Sequence, residues 1–206
     1  MNPGYATARQ WFGVDYLALL GRTEEAIAQV EIACQLDPLS AIILEGRAFL
    51  KLLSRDYDGA LKCHLEELNL DPFFYKTHRS IGRVYTQQGK YDQAIEMFEK
   101  ARKLNGDTPN VLGALGQACG LAGRKSEARR LVAQLTQLSA TRYVPSTSFA
   151  IAHLGLGDKD RALDWLERVC DQRELPVTTL NVHPVYDPLR NEPAFQALLR
   201  RIGFLQ

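Results

Sequence analysis

Along this chain, stretches whose apolar residues recur at helical spacing alternate with short polar turns, and the alternation has a period. Ala26, Ala60, Ala94, Ala128 and Ala162 stand 34 residues apart, and their surroundings repeat with them. GRTEEAI, SRDYDGAL, GKYDQAI, GRKSEAR and GDKDRAL each place a turn about five residues before the alanine. Glycine fills that turn at Gly21, Gly89, Gly123 and Gly157, and Arg55 replaces it once. Seven positions before the turn, small residues recur at Ala48, Gly82, Gly116 and Ala150, and Pro38 and Pro72 are again 34 apart. Self-similarity at such a period marks a repeat architecture.

Each unit reads as two amphipathic helices joined by a tight turn. A left-handed glycine can close the first helix, and Thr23, Asp56, Asp92, Ser126 and Asp158 or Asp160 are placed to cap the second. Small residues at fixed positions let neighbouring helices approach closely. Between units, LDP stops a helix, because proline disfavours helical geometry in the residue before it. The predicted fold is all-α, with units at 6–40, 41–74, 75–108, 109–142 and 143–176. The first unit carries one residue more than the others, within FGVDYLALLG (12–21), which predicts a bulge or a longer turn there. Residues 177–206 break the period. They read as an irregular stretch followed by a short helix capped by Asn191 with Pro193 in its first turn, whose Phe195, Leu198, Leu199 and Ile202 form a stripe able to cover unit five.

The third unit, with Ile81-Gly82, Tyr85, Gly89, Ala94, Phe98 and Ala101, resembles the tetratricopeptide repeat (TPR). His64 and Glu67 depart from that pattern in unit two, and unit four begins after NGDTP rather than LDP. The resemblance implies a right-handed superhelical solenoid of helical hairpins closed by a C-terminal capping helix. DPLRNEPAFQALLRRIGF also resembles the closing segment of TPR arrays at the C-terminus of multidomain bacterial regulators, behind a winged-helix, Ser/Thr kinase or cyclase domain. Aligned on the period, Asn2-Pro3-Gly4-Tyr5-Ala6 matches Asp37-Pro38-Leu39-Ser40-Ala41. Residues 1–5 therefore read as the tail of a missing upstream repeat, which would leave Trp11 exposed.

Composition narrows the function. The 206 residues are 46% hydrophobic and 24% charged, with a formal net charge of +1, so no global charge favours nucleic acid. No apolar run of about 18 residues and no basic-then-apolar leader is visible, which sets a cytoplasmic expectation. Cys34, Cys63, Cys119 and Cys170 lack the spacing of a disulfide frame or a zinc site and read as reduced packing residues. His64, His78, His153 and His183 lack ligand spacing, and the first three fall at positions that normally face the hairpin core. No Walker loop, GxGxxG after a strand or HExxH occurs, and the glycines of GALGQACGLAG (113–123) suit close helix packing better than a phosphate cradle. The expectation is a protein that is not an enzyme and has no cofactor and no metal.

The TPR resemblance implies a concave groove lined by the first helix of each hairpin. Laid on this sequence, its positions include Trp11, Glu45, Phe49, Lys76, Arg79, Arg83, Asn110, Gln117 and Thr147, with Thr7, Asp15, Ile42 and Ile151 beside them. Lys76, Arg79 and Arg83 follow at spacings of three and four, on one helical face, and could grip a carboxylate. A solvated charged face is the equal alternative. The Lys/Asn clamp with which some TPR proteins hold a chaperone tail finds only Lys76 here. Units three and four are net positive, while one, two and five are net negative, which favours an acidic peptide or self-association over nucleic acid. The leading reading is a non-catalytic scaffold that binds a peptide or partner domain in its groove. The alternatives are an intramolecular spacer or self-assembly module, and a small-ligand sensor.

Overall fold

A computed structural model describes residues 4–204, all helical or irregular; Asn2 and Pro3, on which the missing-repeat expectation rests, lie outside the described residues. The hairpins pair α1 (Ala6–Trp11) with α2 (Thr23–Leu36), α3 (Ala41–Leu53) with α4 (Tyr57–Leu70), and α5 (Tyr75–Gln87) with α6 (Tyr91–Asn105). They continue with α7 (Pro109–Leu121) and α8 (Lys125–Ser139), then α9 (Ser146–Leu156) and α10 (Lys159–Asp171). Two 3-10 turns, Leu175–Thr179 and Pro184–Leu189, lead to α11 (Pro193–Arg201). The architecture is a helical-hairpin solenoid with a C-terminal capping helix.

Five equivalent turns set the hairpins. Gly21, Arg55, Gly89, Gly123 and Gly157 all have positive φ, between 62 and 80°. In each case the next amide donates back to the carbonyl five residues earlier: Arg22 to Leu17, Asp56 to Lys51, Lys90 to Tyr85, Arg124 to Cys119 and Asp158 to His153. This is the Schellman closure, which satisfies carbonyls that the helix end would leave bare. The second helix starts at once, so its N-cap is the residue directly after the turn. Only Asp56 and Asp158 occupy that place with a capping side chain, accepting from the amides of Gly59 and Arg161. At the other turns the N-cap is Arg22, Lys90 or Arg124, so Thr23, Asp92 and Ser126 lie inside their helices and do not cap them. Likewise α11 is preceded by Glu192, not capped by Asn191.

The extra residue of the first unit is absorbed in a π-helical turn, Phe12–Leu17, that continues α1, with the Ala18 amide reaching the Gly13 carbonyl. A π-turn adds one residue without breaking the helix. It leaves the left-handed turn at Gly21 in register with the other four.

Burial follows neighbours, as expected of a quasi-one-dimensional stack. One cluster joins Ala94, Phe98, Leu115, Leu131 and Phe149 across units three to five, and another joins Ala26, Val30, Ile43 and Leu50 across the first two. A Cβ on Gly120 would lie 2.3 Å from the Gly155 carbonyl oxygen, and one on Gly155 would lie 2.4 Å from Gln117 backbone. The glycine-rich stretch therefore serves backbone contact between α7 and α9. At the far end, Phe195, Leu198 and Leu199 pack on Leu166 and Val169, with Ile202 partly buried beside them.

The two residues that depart from the repeat pattern in unit two support each other. His64 Nδ1 lies 3.1 Å from Glu67 Oε1, and the Thr77 hydroxyl donates to Glu67 Oε2 at 2.9 Å. All three are buried. A buried carboxylate without such partners would be costly, so the three residues form a structural unit that ties α4 to α5.

Candidate functional site

The irregular stretch after α10 folds back across the concave side of the array. Arg55 Nη2 donates to both Asp187 carboxylate oxygens, at 2.8 and 3.0 Å. The Phe49 and His183 rings lie 6.2 Å apart between centroids, and Val182 packs against the cluster of the first two units. The stretch is braced internally by Arg190, which donates to the carbonyls of Asn181 (2.6 Å) and His183 (3.4 Å) and to Asp187 Oδ1 (2.6 Å). Glu174, buried at the root of the stretch, accepts from the Ser146 amide at 3.0 Å and so anchors it to the start of α9.

Between this stretch and the first helices lies a cavity of about 550 Å³. Arg79, Arg83, Asn110, Gln117 and Thr147 face it from α5, α7 and α9, together with Phe49 and Ile151, and His183, Val185 and Tyr186 form the opposite wall. A smaller chamber of about 160 Å³ adjoins it, lined by Glu45, Phe49, Arg79 and Arg83. Seven of the nine groove residues named from the sequence thus line these two cavities, which have Phe49, Arg79 and Arg83 in common.

Trp11 and Lys76 do not join them. Trp11 is half exposed on α1. Lys76 sits in the exposed first turn of α5, its ammonium 5.8 Å from the centroid of Phe74. The three-residue basic rung is therefore a pair, because its first member lies a turn too early to reach the cavity. The groove is also not open along its length, since the chain's own residues 175–190 lie in it.

Electrostatics separate the groups of this site. Burial, with a smaller contribution from neighbouring Arg79, pushes the Arg83 guanidinium down to about 9. Arg79 is lowered by the same desolvation. His183 is held down at about 3 by burial and by the positive charges of Arg83, Arg55 and Arg190. Its ring is neutral, in keeping with the Val185 amide donating to Nδ1 at 3.1 Å. The Tyr186 phenol is raised by burial.

His183, Tyr186 and Asp187 were not among the sequence-derived site residues because they lie outside the period. The available signal was the density of polar and aromatic groups between prolines in HPVYDPLR. Of the helical histidines, His64 and His153 are buried as expected, whereas His78 is only partly buried and meets the Pro72 carbonyl at 2.8 Å. Cys63, Cys119 and Cys170 are buried free thiols and Cys34 is partly buried; burial raises all four, Cys119 to about 11. Among the described residues, no group of three or more His, Cys, Asp or Glu is placed to hold a metal ion, and no helix is long and apolar enough to cross a membrane.

The tetratricopeptide repeat family model matches residues 74–139, and a second tetratricopeptide repeat model matches residues 150–168. Over these two stretches the repeats of this chain match tetratricopeptide repeats. Among solved structures, a thermophilic TPR protein of Thermus thermophilus superposes with a TM-score of 0.66 at 19% identity, covering 88% of this chain and 98% of that one. A tetratricopeptide repeat protein of Parabacteroides merdae does so with a TM-score of 0.65 at 18% identity, covering 97% and 78%. Among curated proteins, anaphase-promoting complex subunit 3 of Schizosaccharomyces pombe is 25% identical over 57% of this chain. Human tetratricopeptide repeat protein 7B is 24% identical over 73% of it. This chain spans 18% of the length of each of these two relatives. TPR proteins are generally protein-interaction scaffolds, typically without enzymatic activity.

Proposed function

We propose that this TPR array is a non-catalytic scaffold whose concave side receives polypeptide, acting as one module of a larger bacterial regulatory protein in the cytoplasm. The observation that carries the reading is the seating of residues 175–190 in the groove. An irregular peptide segment is already held there by an ion pair to Arg55, ring contacts to Phe49 and apolar packing of Val182. The groove thereby has the chemistry to hold an extended segment with an acidic residue, which fits the positive charge of units three and four. Selection of a displayed peptide library on the intact protein tests this. Enriched peptides carrying an acidic residue, with binding lost in Phe49→Ala and kept in Lys76→Ala, are expected. A selection without enrichment, or peptides indifferent to Phe49→Ala, would overturn it.

A second reading rests on the opposite end. Trp11, Tyr16 and Leu20 of the first hairpin are each about half exposed, at 50, 53 and 52%. Such a patch favours docking of an upstream domain of the same polypeptide or of a second copy. Light scattering across concentration separates the two, since self-assembly through this face requires a concentration-dependent mass that Trp11→Ser abolishes.

A further inference from the structure

Several arginines of this chain meet a carboxylate: Arg47 pairs with Glu66, Arg55 with Asp187, Arg102 with Asp107 and Arg190 with Asp187. Arg79 and Arg83 are different. Four residues apart on α5, they point from the same face into the 550 Å³ cavity, and neither has a hydrogen bond or an ion pair among the described residues. The Nε atom of Arg79 is fully buried without a partner. Glu45 favours the charge of both from a distance, without touching either. Glu45 lines the smaller chamber and Asp15 the larger one, and neither makes an ion pair with either guanidinium. Two adjacent guanidinium groups, partly buried, unpaired and repelling each other, form an arrangement that a bound anion would relieve.

The rest of the cavity wall suits a small molecule. Asn110, Gln117 and Thr147 supply neutral donors and acceptors, and Phe49, Ile151 and Val185 supply an apolar surface. The volume lies within the range of about 300–1,000 Å³ common to small-ligand sites. Residues 175–186 wall this part of the groove, and the space they bound has the size of a compact ligand.

We infer that the cavity between α5, α7, α9 and residues 175–190 is a binding site for a small organic anion, its carboxylate or phosphate head held by Arg79 and Arg83 and its apolar body against Phe49, Ile151 and Val185. Guanidinium groups match both heads through paired N–H donors. The site stands apart from the scaffold reading, which needs no small ligand.

Calorimetric titration of the intact protein with phenylacetate, phenyl phosphate, inorganic phosphate and uncharged phenylacetamide tests the assignment. Saturable binding of phenylacetate or phenyl phosphate is expected, with no binding of the amide. The comparison of the two anions identifies the preferred head, and inorganic phosphate binding more weakly than phenyl phosphate reports the apolar wall. Arg79→Gln and Arg83→Gln are each expected to weaken binding about tenfold or more, while Arg102→Gln leaves it unchanged. A second measurement needs no ligand: Arg83→Met is expected to raise the melting temperature of the ligand-free protein, because it removes an unpaired charge from a desolvated position. Absence of saturation by all three anions, equal binding by the Arg79→Gln/Arg83→Gln double variant, or a lowered melting temperature in Arg83→Met would overturn the proposal.

Discussion

Arg55 and Asp187, 132 residues apart, are joined by one guanidinium nitrogen lying 2.8 and 3.0 Å from the two carboxylate oxygens. Arg55 is also the member of the turn series that is not glycine, with φ of 62°. A side chain at a left-handed position is strained. The same residue that carries this strain ties the second hairpin to the segment crossing the groove.

This coupling separates two effects in two variants. Arg55→Gly loses the ion pair and relieves the backbone, whereas Arg55→Ala loses the ion pair and keeps the strain. Denaturant unfolding is expected to find Arg55→Ala less stable than Arg55→Gly by about 1 kcal/mol. Both partners are about 40% exposed, so Asp187→Asn is expected to cost less than about 1 kcal/mol globally. Its main effect is faster amide exchange over residues 175–190, and unchanged exchange there would contradict the bridging role.

The crossing of α7 and α9 is expected to be the least tolerant place for an added methyl group. Gly120→Ala and Gly155→Ala force a Cβ into the backbone of the facing helix. Each is expected to cost about 1–3 kcal/mol or more by urea titration. Gly123→Ala meets nothing within 4 Å but occupies a turn with φ of 80°, so its cost of about 1 kcal/mol has a conformational origin.

Capping gives a finer test. Asp56→Ala and Asp158→Ala each remove an N-cap acceptor and are expected to cost about 1 kcal/mol. Thr23→Ala and Ser126→Ala, one or two residues further along, are expected to change stability by less than about 0.5 kcal/mol. Equal losses in all four would show that the helices begin later than described.

Acid should loosen the site through His183. Its folded value, about 3, lies below the ordinary 6.5, so the unfolded chain takes up the proton first. The neutral ring's contribution is therefore fully present above about pH 6.5 and is lost as pH falls toward 3, at up to about 1.4 kcal/mol per pH unit. The groups facing the ring, Arg83, Arg55 and Arg190, all oppose its protonation. The pH dependence of stability for His183→Asn is expected to be flatter than that of the parent protein between pH 6 and 4; parallel curves would remove His183 from the account.

The sequence by itself determined the helical hairpins, their turns and the character of the cap. Each depends on contacts between near neighbours, so the spacing of Ala26, Ala60, Ala94, Ala128 and Ala162 and the apolar stripe of Phe195, Leu198 and Leu199 record them locally. The extra residue in 12–21 was legible for the same reason, as one count too many in a strict period. Only the tertiary structure decided what the groove contains. Seven of the nine groove residues were placed by repeat register, but the period says nothing about residues 175–190, whose partners Arg55 and Phe49 lie more than a hundred residues away along the chain. Pairing decided the rest: Lys76 parts from Arg79 and Arg83, and those two remain unmatched, because a charge pattern shows which side chains share a face and not which ones find an acceptor.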